Sequence, residues 1–177
     1  MINRRSFIAL GAAAGLTACA PPTPRLGPDG QPLPLIHRIG PGDAARVRTR
    51  LLDQVNALRV DAGARPLTLD PALVAAATSH ARHMARQNSA SHLGADGSSP
   101  ADRAARAGYR NTVLGENTAE TYASDAETVH DWMQHEDTRE TILDPAARDL
   151  GVAFFQEDDG KFWWVLMTGD SVPRATG

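Results

Sequence analysis

The apolar residues of the chain follow two different periods, and the change from one to the other restricts the possible folds. Segments that begin near Asp43, Asp70 and Ser124 repeat apolar residues at spacings of three and four, which is typical of amphipathic helices. Closer to the C-terminus the chain carries two short apolar and aromatic segments, 150–156 and 161–168. Helices followed by strands predict an α+β domain in which helices pack on a small, mainly antiparallel sheet.

The predicted helices have recognisable beginnings. An Asp-Pro pair at 70–71 and a Ser-Pro pair at 99–100 each place a capping side chain before a proline at the first helical position. Ser124, followed three residues later by Glu127, is a capping box for a helix that should end near Glu136. The first helix should end at a glycine, and its apolar face is formed by Val47, Leu51, Leu52, Val55 and Leu58.

The two aromatic segments are separated by Asp158-Asp159-Gly160, a sequence typical of a tight turn. They are therefore predicted to form a β-hairpin. A further short strand is predicted over residues 113–118. Residues 43–177 are enough for one domain of ordinary size with a single core.

The first 18 residues are typical of an export signal. Arg4 and Arg5 precede an uncharged stretch, residues 6–18, which ends in small side chains. That stretch is shorter than the roughly 20 residues needed to cross a bilayer, and no later segment is long or apolar enough to do so. Residues 1–18 are therefore predicted to be a cleaved signal peptide, with the twin-arginine and the general secretory routes both open.

Residues 16–19, Leu-Thr-Ala-Cys, resemble the lipobox of bacterial lipoprotein precursors. This resemblance implies that Cys19 is lipidated and becomes the new N-terminus, anchoring the protein in a membrane. Cys19 is the single cysteine of the chain, so no internal disulfide can form. The alternative is that Cys19 is merely the small residue that ends the signal. We expect an exported, membrane-anchored lipoprotein that faces the periplasm or the cell surface.

Residues 19–42 contain many prolines and glycines and have no apolar period. They are predicted to form an extended tether between the lipid and the domain, although their last part could pack back on the domain. The formal net charge of the chain is −3, and removing residues 1–18 takes away two arginines and no acid, which makes it −5. An acidic domain without a basic stripe is not expected to bind nucleic acid.

Polar residues that could carry chemistry lie between positions 88 and 141. His92 lies in a turn-forming loop, Glu116 follows a glycine in a strand-like segment, and His135 lies at the end of a predicted helix. Two imidazoles and a carboxylate are groups that bind transition metals or transfer protons. The histidines at 80, 83 and 130 are expected to be ordinary surface or half-buried hydrogen-bonded residues.

Several short motifs follow one another in a recognisable order after Asp43. They are His92, Asp96-Gly97, Asp102-Arg103, Ala107-Gly108-Tyr109, Gly115-Glu116-Asn117, Trp132-Met133, Ile142-Leu143-Asp144-Pro145, Leu150-Gly151-Val152-Ala153 and the strand from Phe162 to Gly169. Their order is similar to that of the CAP superfamily, which contains cysteine-rich secretory proteins, antigen 5 and the plant pathogenesis-related 1 proteins. The match extends over essentially everything after Asp43, and the bacterial, disulfide-free branch fits best. The resemblance implies a three-layer α-β-α sandwich.

The resemblance also implies a central cavity with two histidines and two acids, which in some members binds zinc or another divalent ion. His92 matches the first histidine and Glu116 the first acid. Thr138 stands where the second histidine is expected, and His135 stands where relatives have serine or the second acid. Three alternatives remain: His135 pairs with His92 to hold a metal, the loop shifts by a few residues, or the site has lost its metal and keeps a ligand groove.

The resemblance favours a non-enzymatic binding protein whose cavity, formed by His92, Glu116, His135 and Thr138, takes an apolar or glycan-like ligand, with or without a divalent ion. One alternative is a hydrolase in which Glu116 is the general base on a water held by His92 or by a metal. No serine or cysteine nucleophile has a recognisable context. A second alternative is an interaction module of the cell envelope.

Overall fold

A computed structural model describes residues 38–40, 42–121 and 124–171 of the chain. The predicted signal peptide, Cys19 and most of the predicted tether lie outside these residues. Five helices and four strands are present in this part of the chain, and they are, in order, α1 (Ala44–Asp61), β1 (Thr68–Leu69), α2 (Pro71–Gln87), α3 (Pro100–Arg106), β2 (Val113–Thr121), α4 (Asp125–Gln134), α5 (Glu136–Leu143), β3 (Asp149–Gln156) and β4 (Phe162–Gly169).

The predicted helix beginnings are confirmed. The Asp70 side chain accepts hydrogen bonds from the backbone N–H groups of the first turn of α2, and both Ser99 and Ser124 form complete capping boxes. The structure differs from the prediction at the other end of α4. His135 adopts an extended backbone that ends α4, and a separate helix, α5, follows at once. The sequence between 136 and 143 contains few apolar residues, so helical periodicity could not reveal it.

The four strands form one sheet in the order β1-β3-β4-β2. β1 pairs with β3 in parallel, whereas β3–β4 and β4–β2 are antiparallel. The predicted hairpin is therefore confirmed, and its turn contains Gly160 at φ +100°. β2 extends to Thr121, further than predicted, and is an edge strand of the sheet.

Alternate side chains of β4 enter two different apolar cores. Trp164 and Leu166 face the layer of α1, α4 and α5, where they pack with residues such as Trp132. Trp163 and Met167 belong to the core on the other face, beneath α2 and α3. Because every residue of β4 is buried, the sheet is covered on both faces. The chain is therefore a three-layer α-β-α sandwich, as the resemblance implies.

Two glycines allow close packing between layers. A side chain at Gly151 of β3 would collide with the backbone of Leu73 in α2, and one at Gly169 of β4 would collide with the ring of Tyr109. The Tyr109 hydroxyl lies 2.8 Å from Asp149 Oδ2, and burial, together with this carboxylate, raises the pKa of the phenol. Tyr109 and its glycine partner thus join the end of α3 to the sheet.

Arg59 and the segment before α1 also connect distant parts of the chain. The buried Arg59 side chain donates to the backbone carbonyls of Arg65, Ile142, Asp144 and Ala147.

The segment before α1 contacts the hairpin. Arg38 donates to the Asp158 carbonyl, and the Ile39 N–H donates to Gln156 Oε1. The last part of the predicted tether therefore packs on the hairpin, as one of the two alternatives allowed. None of the helices in the described ranges combines the length and the apolar character needed to cross a bilayer.

Candidate functional site

The tripeptide Gly115-Glu116-Asn117 on the edge strand β2 organises the polar site. A Cβ at Gly115 would lie 2.8 Å from Thr141 Oγ1, so the absence of a side chain lets α5 approach the strand. Glu116 is paired across the sheet with Met167, which belongs to the α2–α3 core. Asn117 points to the opposite face. Adjacent side chains of one strand thus face the two helical layers on opposite sides of the sheet.

Both oxygens of the buried Glu116 carboxylate are engaged. Arg103 Nη2 of α3 donates to Oε2 at 2.7 Å, and His92 Nδ1 lies 3.0 Å from Oε1. His80 Nε2 of α2 is 3.8 Å from the same Oε1. A carboxylate with only 1% of its side chain exposed is stable in this position because it has a charged partner and hydrogen bonds.

Arg103 also fixes the loop that carries His92. Its Nη1 donates to the carbonyls of His92, at 3.0 Å, and Ser98, at 2.8 Å. One guanidinium therefore holds both the carboxylate and the backbone of the loop between α2 and α3. The sequence motif Asp-Arg at 102–103 has a structural explanation, because Asp102 completes the capping box of α3 while Arg103 reaches the site.

His80 is a buried member of this cluster. Its Nε2 lies 2.7 Å from the Ser91 carbonyl, which requires a proton on Nε2 and leaves Nδ1 as an acceptor in the neutral ring. Nδ1 is buried and has no hydrogen-bond partner in the described part of the chain. Burial lowers the pKa of His80, Arg103 lowers it further, and Glu116 opposes the shift.

His92 is the member of the cluster that solvent reaches. Its side chain is 57% exposed, compared with 8% for Arg103 and none for His80. The neighbouring Leu93 is 60% exposed, which is unusual for a large apolar residue in this domain. The site therefore presents an imidazole and an apolar side chain at its surface, on a base of buried charges.

Thr138 and His135 lie in the layer that Asn117 faces. The Thr138 hydroxyl donates to the Trp132 carbonyl at 2.6 Å, while its own carbonyl accepts from Asn117 Nδ2 at 2.8 Å. Thr138 thus stabilises the junction of α4 and α5. His135 is 65% exposed, and its Nε2 is 3.8 Å from Asp131 Oδ1. The acid beside His135 is Asp131, whereas the acid beside His92 is Glu116.

The described residues do not fit the zinc site that the resemblance implies. Within the ranges that the structure describes, no three His, Cys, Asp or Glu side chains come together in a group that could hold a metal ion. His92 Nδ1 is already paired with Glu116, and the hydroxyl that replaces the second histidine is engaged by a backbone carbonyl. Two histidines without a fixed third ligand make a weak metal site.

The sequence predicts that His92 and Glu116 share one cavity, and the structure places them 3.0 Å apart, but two of their neighbours are not predicted. The sequence predicts an ordinary surface or half-buried histidine at position 80 and gives no role to Arg103. The signal for His80 was its position in line with apolar residues of α2, Ala77, Ala81 and Met84, all of which are buried. A histidine on the buried face of a helix needs a polar partner, and this could have pointed to Glu116.

Comparison with known proteins places the fold and the site in context. The pattern of the Cysteine-rich secretory protein family, CAP, matches residues 52–168. The uncharacterized protein YkwD of Bacillus subtilis (strain 168) is 28% identical over 123 residues, which is 70% of this chain and 47% of YkwD. The chain therefore spans about half the length of that relative.

Two solved structures have the same fold. An outer surface protein of Borrelia burgdorferi matches with a TM-score of 0.67 at 17% identity, covering 77% of this chain and 98% of that protein. An extracellular protein containing an SCP domain, from Bacillus anthracis str. Ames, matches with a TM-score of 0.66 at 20% identity, covering 84% of this chain and 45% of that one. With the family pattern extending over two thirds of the residues, these observations show that the chain belongs to the CAP family of cysteine-rich secretory proteins.

Proposed function

We propose that this protein is a membrane-tethered, envelope-facing binding protein, and that it holds an apolar or glycan-like ligand at the surface formed by His92 and Leu93. The observation that carries the proposal is the occupation of both Glu116 oxygens, by Arg103 and by His92. This arrangement stabilises a loop and presents its tip to solvent. It serves recognition better than proton transfer.

A general base must be able to reach its water and accept the proton from it. The Glu116 side chain is 1% exposed and forms an ion pair with Arg103 at 2.7 Å. Protonating it would break a buried charge pair, which costs several kcal/mol in proteins. The hydrolase alternative is therefore disfavoured by the surroundings of its proposed base.

The exposed part of the site suits a ligand with both polar and apolar faces. The His92 ring offers Nε2 for a hydrogen bond and a flat face for stacking, and Leu93 offers apolar surface beside it. Sugars and the polar ends of lipids have this mixture of hydroxyl groups and C–H surface.

Cys19 is proposed to anchor the domain. Support comes from the lipobox-like residues 16–19 and from relatives that are described as an outer surface protein and an extracellular protein. Several acyl chains on one cysteine would give lasting membrane attachment without a transmembrane helix. The pairing of Arg38 and Ile39 with the hairpin would then fix where the tether meets the domain.

Calorimetric titration of the full chain with envelope lipids and with soluble cell-wall glycans tests this proposal. His92→Ala should weaken binding about tenfold or more, whereas His130→Ala should leave it unchanged. His130 lines a separate apolar cavity of about 300 Å³ between α1 and α4, so it is a matched control. Loss of binding in His130→Ala alone would place the ligand between those helices and overturn the proposal, and absence of binding to either class would favour an interaction module.

A further inference from the structure

A second cleft, of about 440 Å³, lies between α2 and α3. Three pieces of the chain line it: the exposed side of α2, the side of α3 that faces it, and the loop from Gly94 to Ser98. His92 and Glu116 are not among its lining residues, but His80 and Arg103 of the cluster around Glu116 are, so the cleft lies beside the His92 surface. The Ala95 N–H donates to His83 Nε2 at 2.7 Å, which holds the loop against α2 and keeps this nitrogen unprotonated.

The lining of this cleft is positively charged. Arg86 of α2 and Arg103 and Arg106 of α3 all contribute to it, together with two imidazoles. Asp96 is the one acid among the lining residues, and Ser98 and Arg106 already bind its carboxylate, which lowers its pKa. Glu116, which is not a lining residue, neutralises the charge of Arg103. The charge of Arg86 is left without an acidic partner in the lining, although the net charge of the whole chain is negative.

Two of these arginines have N–H groups without a hydrogen-bond acceptor in the described residues. Arg103 Nε is buried and has no hydrogen-bond partner in the described residues, although the other nitrogens of the group bind carbonyls and Glu116. Arg86 is exposed and forms no ion pair within the described ranges. Arg86 therefore offers free donors at the surface of the cleft, and Arg103 adds its guanidinium group to the lining from the buried side.

We propose that this cleft binds a phosphate group. Arg86 and Arg106 would reach the anion from the two helices, and the positive charge of Arg103 would add to the attraction from the buried side. Guanidinium groups suit phosphate because their N–H groups form paired, charge-assisted hydrogen bonds. The proposal does not depend on the ligand of His92, because neither Arg86 nor Arg106, the two residues varied in its test, belongs to the His92 surface.

Phosphate of this kind could come from a lipid headgroup or from a soluble phosphate ester, and both present the same tetrahedral anion. The full chain is therefore titrated with inorganic phosphate by calorimetry, beside Arg86→Gln, Arg106→Gln and Arg82→Gln. Arg82 lies one turn before Arg86 on the same helix but does not line the cleft. The Arg82→Gln variant therefore removes the same charge from a neighbouring position outside the cleft. Thermal unfolding of each variant checks that the domain still folds.

We expect saturable binding to the unchanged chain, weakened about tenfold in Arg86→Gln and Arg106→Gln and unaltered in Arg82→Gln. The absence of saturable binding overturns the proposal. Equal weakening in all three variants also overturns it, because it indicates attraction to general surface charge.

A second arm distinguishes the two sources of phosphate. The full chain carrying Cys19→Ser, which cannot be acylated at that residue, is mixed with vesicles of phosphatidylglycerol or of phosphatidylcholine. Flotation is compared between this chain and the same chain with Arg86→Gln or Arg82→Gln added. Flotation with phosphatidylglycerol that requires Arg86 but not Arg82 assigns the cleft to a lipid headgroup. Binding of inorganic phosphate without such flotation assigns it to a soluble phosphate ester.

Discussion

At the scale of single residues, the site depends on one buried ion pair and on two neighbouring histidines that differ in solvent exposure. Glu116 and Arg103 neutralise each other, His80 lies beside them without solvent, and His92 extends to the surface. His92 and Glu116 could be predicted from the sequence because their motifs stand in a recognisable order. The position of His80 among apolar residues of α2 was a signal for burial, whereas the role of Arg103 could not be predicted, because it depends on which face of α3 packs near β2.

Glu116→Gln should destabilise the domain strongly. The variant leaves the Arg103 guanidinium buried without a counter-charge, so the free energy of unfolding should fall by about 3 kcal/mol. Urea denaturation measures this change. The control is Arg50→Gln, which removes an ion pair with Asp125 that is largely exposed on the arginine side and should cost about 0.5 kcal/mol. Equal losses would contradict the account of the buried pair.

His80 should make stability depend on pH. Burial lowers its pKa below the ordinary value of 6.5, and Glu116, Arg103 and His83 are the charged or titratable groups that face it. The unfolded chain then binds more protons than the folded one below about pH 6.5, so the free energy of unfolding should fall as the pH falls through that value. The slope from this group can reach about 1.4 kcal/mol per pH unit.

Denaturation between pH 7.5 and 5, carried out at intervals of about half a unit, measures that slope. His80→Gln should flatten it, whereas His130→Gln, which changes an exposed histidine of α4, should not. An unchanged slope in His80→Gln would show that other groups cause the acid sensitivity.

At the scale of helices and strands, the family motifs mark places where layers meet. The absence of a side chain lets α5 approach β2 at Gly115 and lets α2 approach β3 at Gly151. At Gly169 it leaves room for the ring of Tyr109. The helix caps and the hairpin were predictable because their signals are local. The division between α4 and α5 was not, since it depends on Thr138 and Asn117 holding the junction through backbone carbonyls.

Gly151→Ala tests the contact between α2 and β3. A Cβ at this position would overlap the backbone of Leu73, which cannot move without shifting the helix, so the variant should lose about 2 kcal/mol or more of unfolding free energy. Gly42→Ala is the matched control, because nothing lies within 4 Å of the added Cβ, and it should stay within about 0.5 kcal/mol of the parent. Urea denaturation compares them, and similar stabilities of the two variants would refute the close packing.

At the scale of the whole molecule, sequence and structure agree on an α-β-α sandwich with its polar site at one edge strand. The class was predictable because helical and strand periods occupy separate parts of the chain. The buried Arg59, which joins the end of α1 to the segment after α5, was not predictable, because its four carbonyl partners come from distant positions. The lipid anchor remains a prediction from residues 16–19.

Cys19→Ser should release the protein from the membrane. Without the thiol no acyl chains can be attached, so the chain should move from the membrane fraction to the soluble fraction of the cell envelope. Cell fractionation with immunoblotting measures the distribution, and Thr17→Ser, a conservative change two residues before the cysteine, is the control. Membrane association that survives in Cys19→Ser would contradict anchoring through this residue.

The His92 surface is proposed to bind a ligand without changing it. The most direct measurement is mass spectrometry of the ligand recovered from the full chain after prolonged incubation, beside His92→Ala and Glu116→Gln. The account predicts that the ligand is recovered with its mass unchanged and that His92→Ala retains little of it. Conversion to a hydrolysed product by the parent chain, abolished in a folded Glu116→Gln variant, would contradict the account and establish the hydrolase.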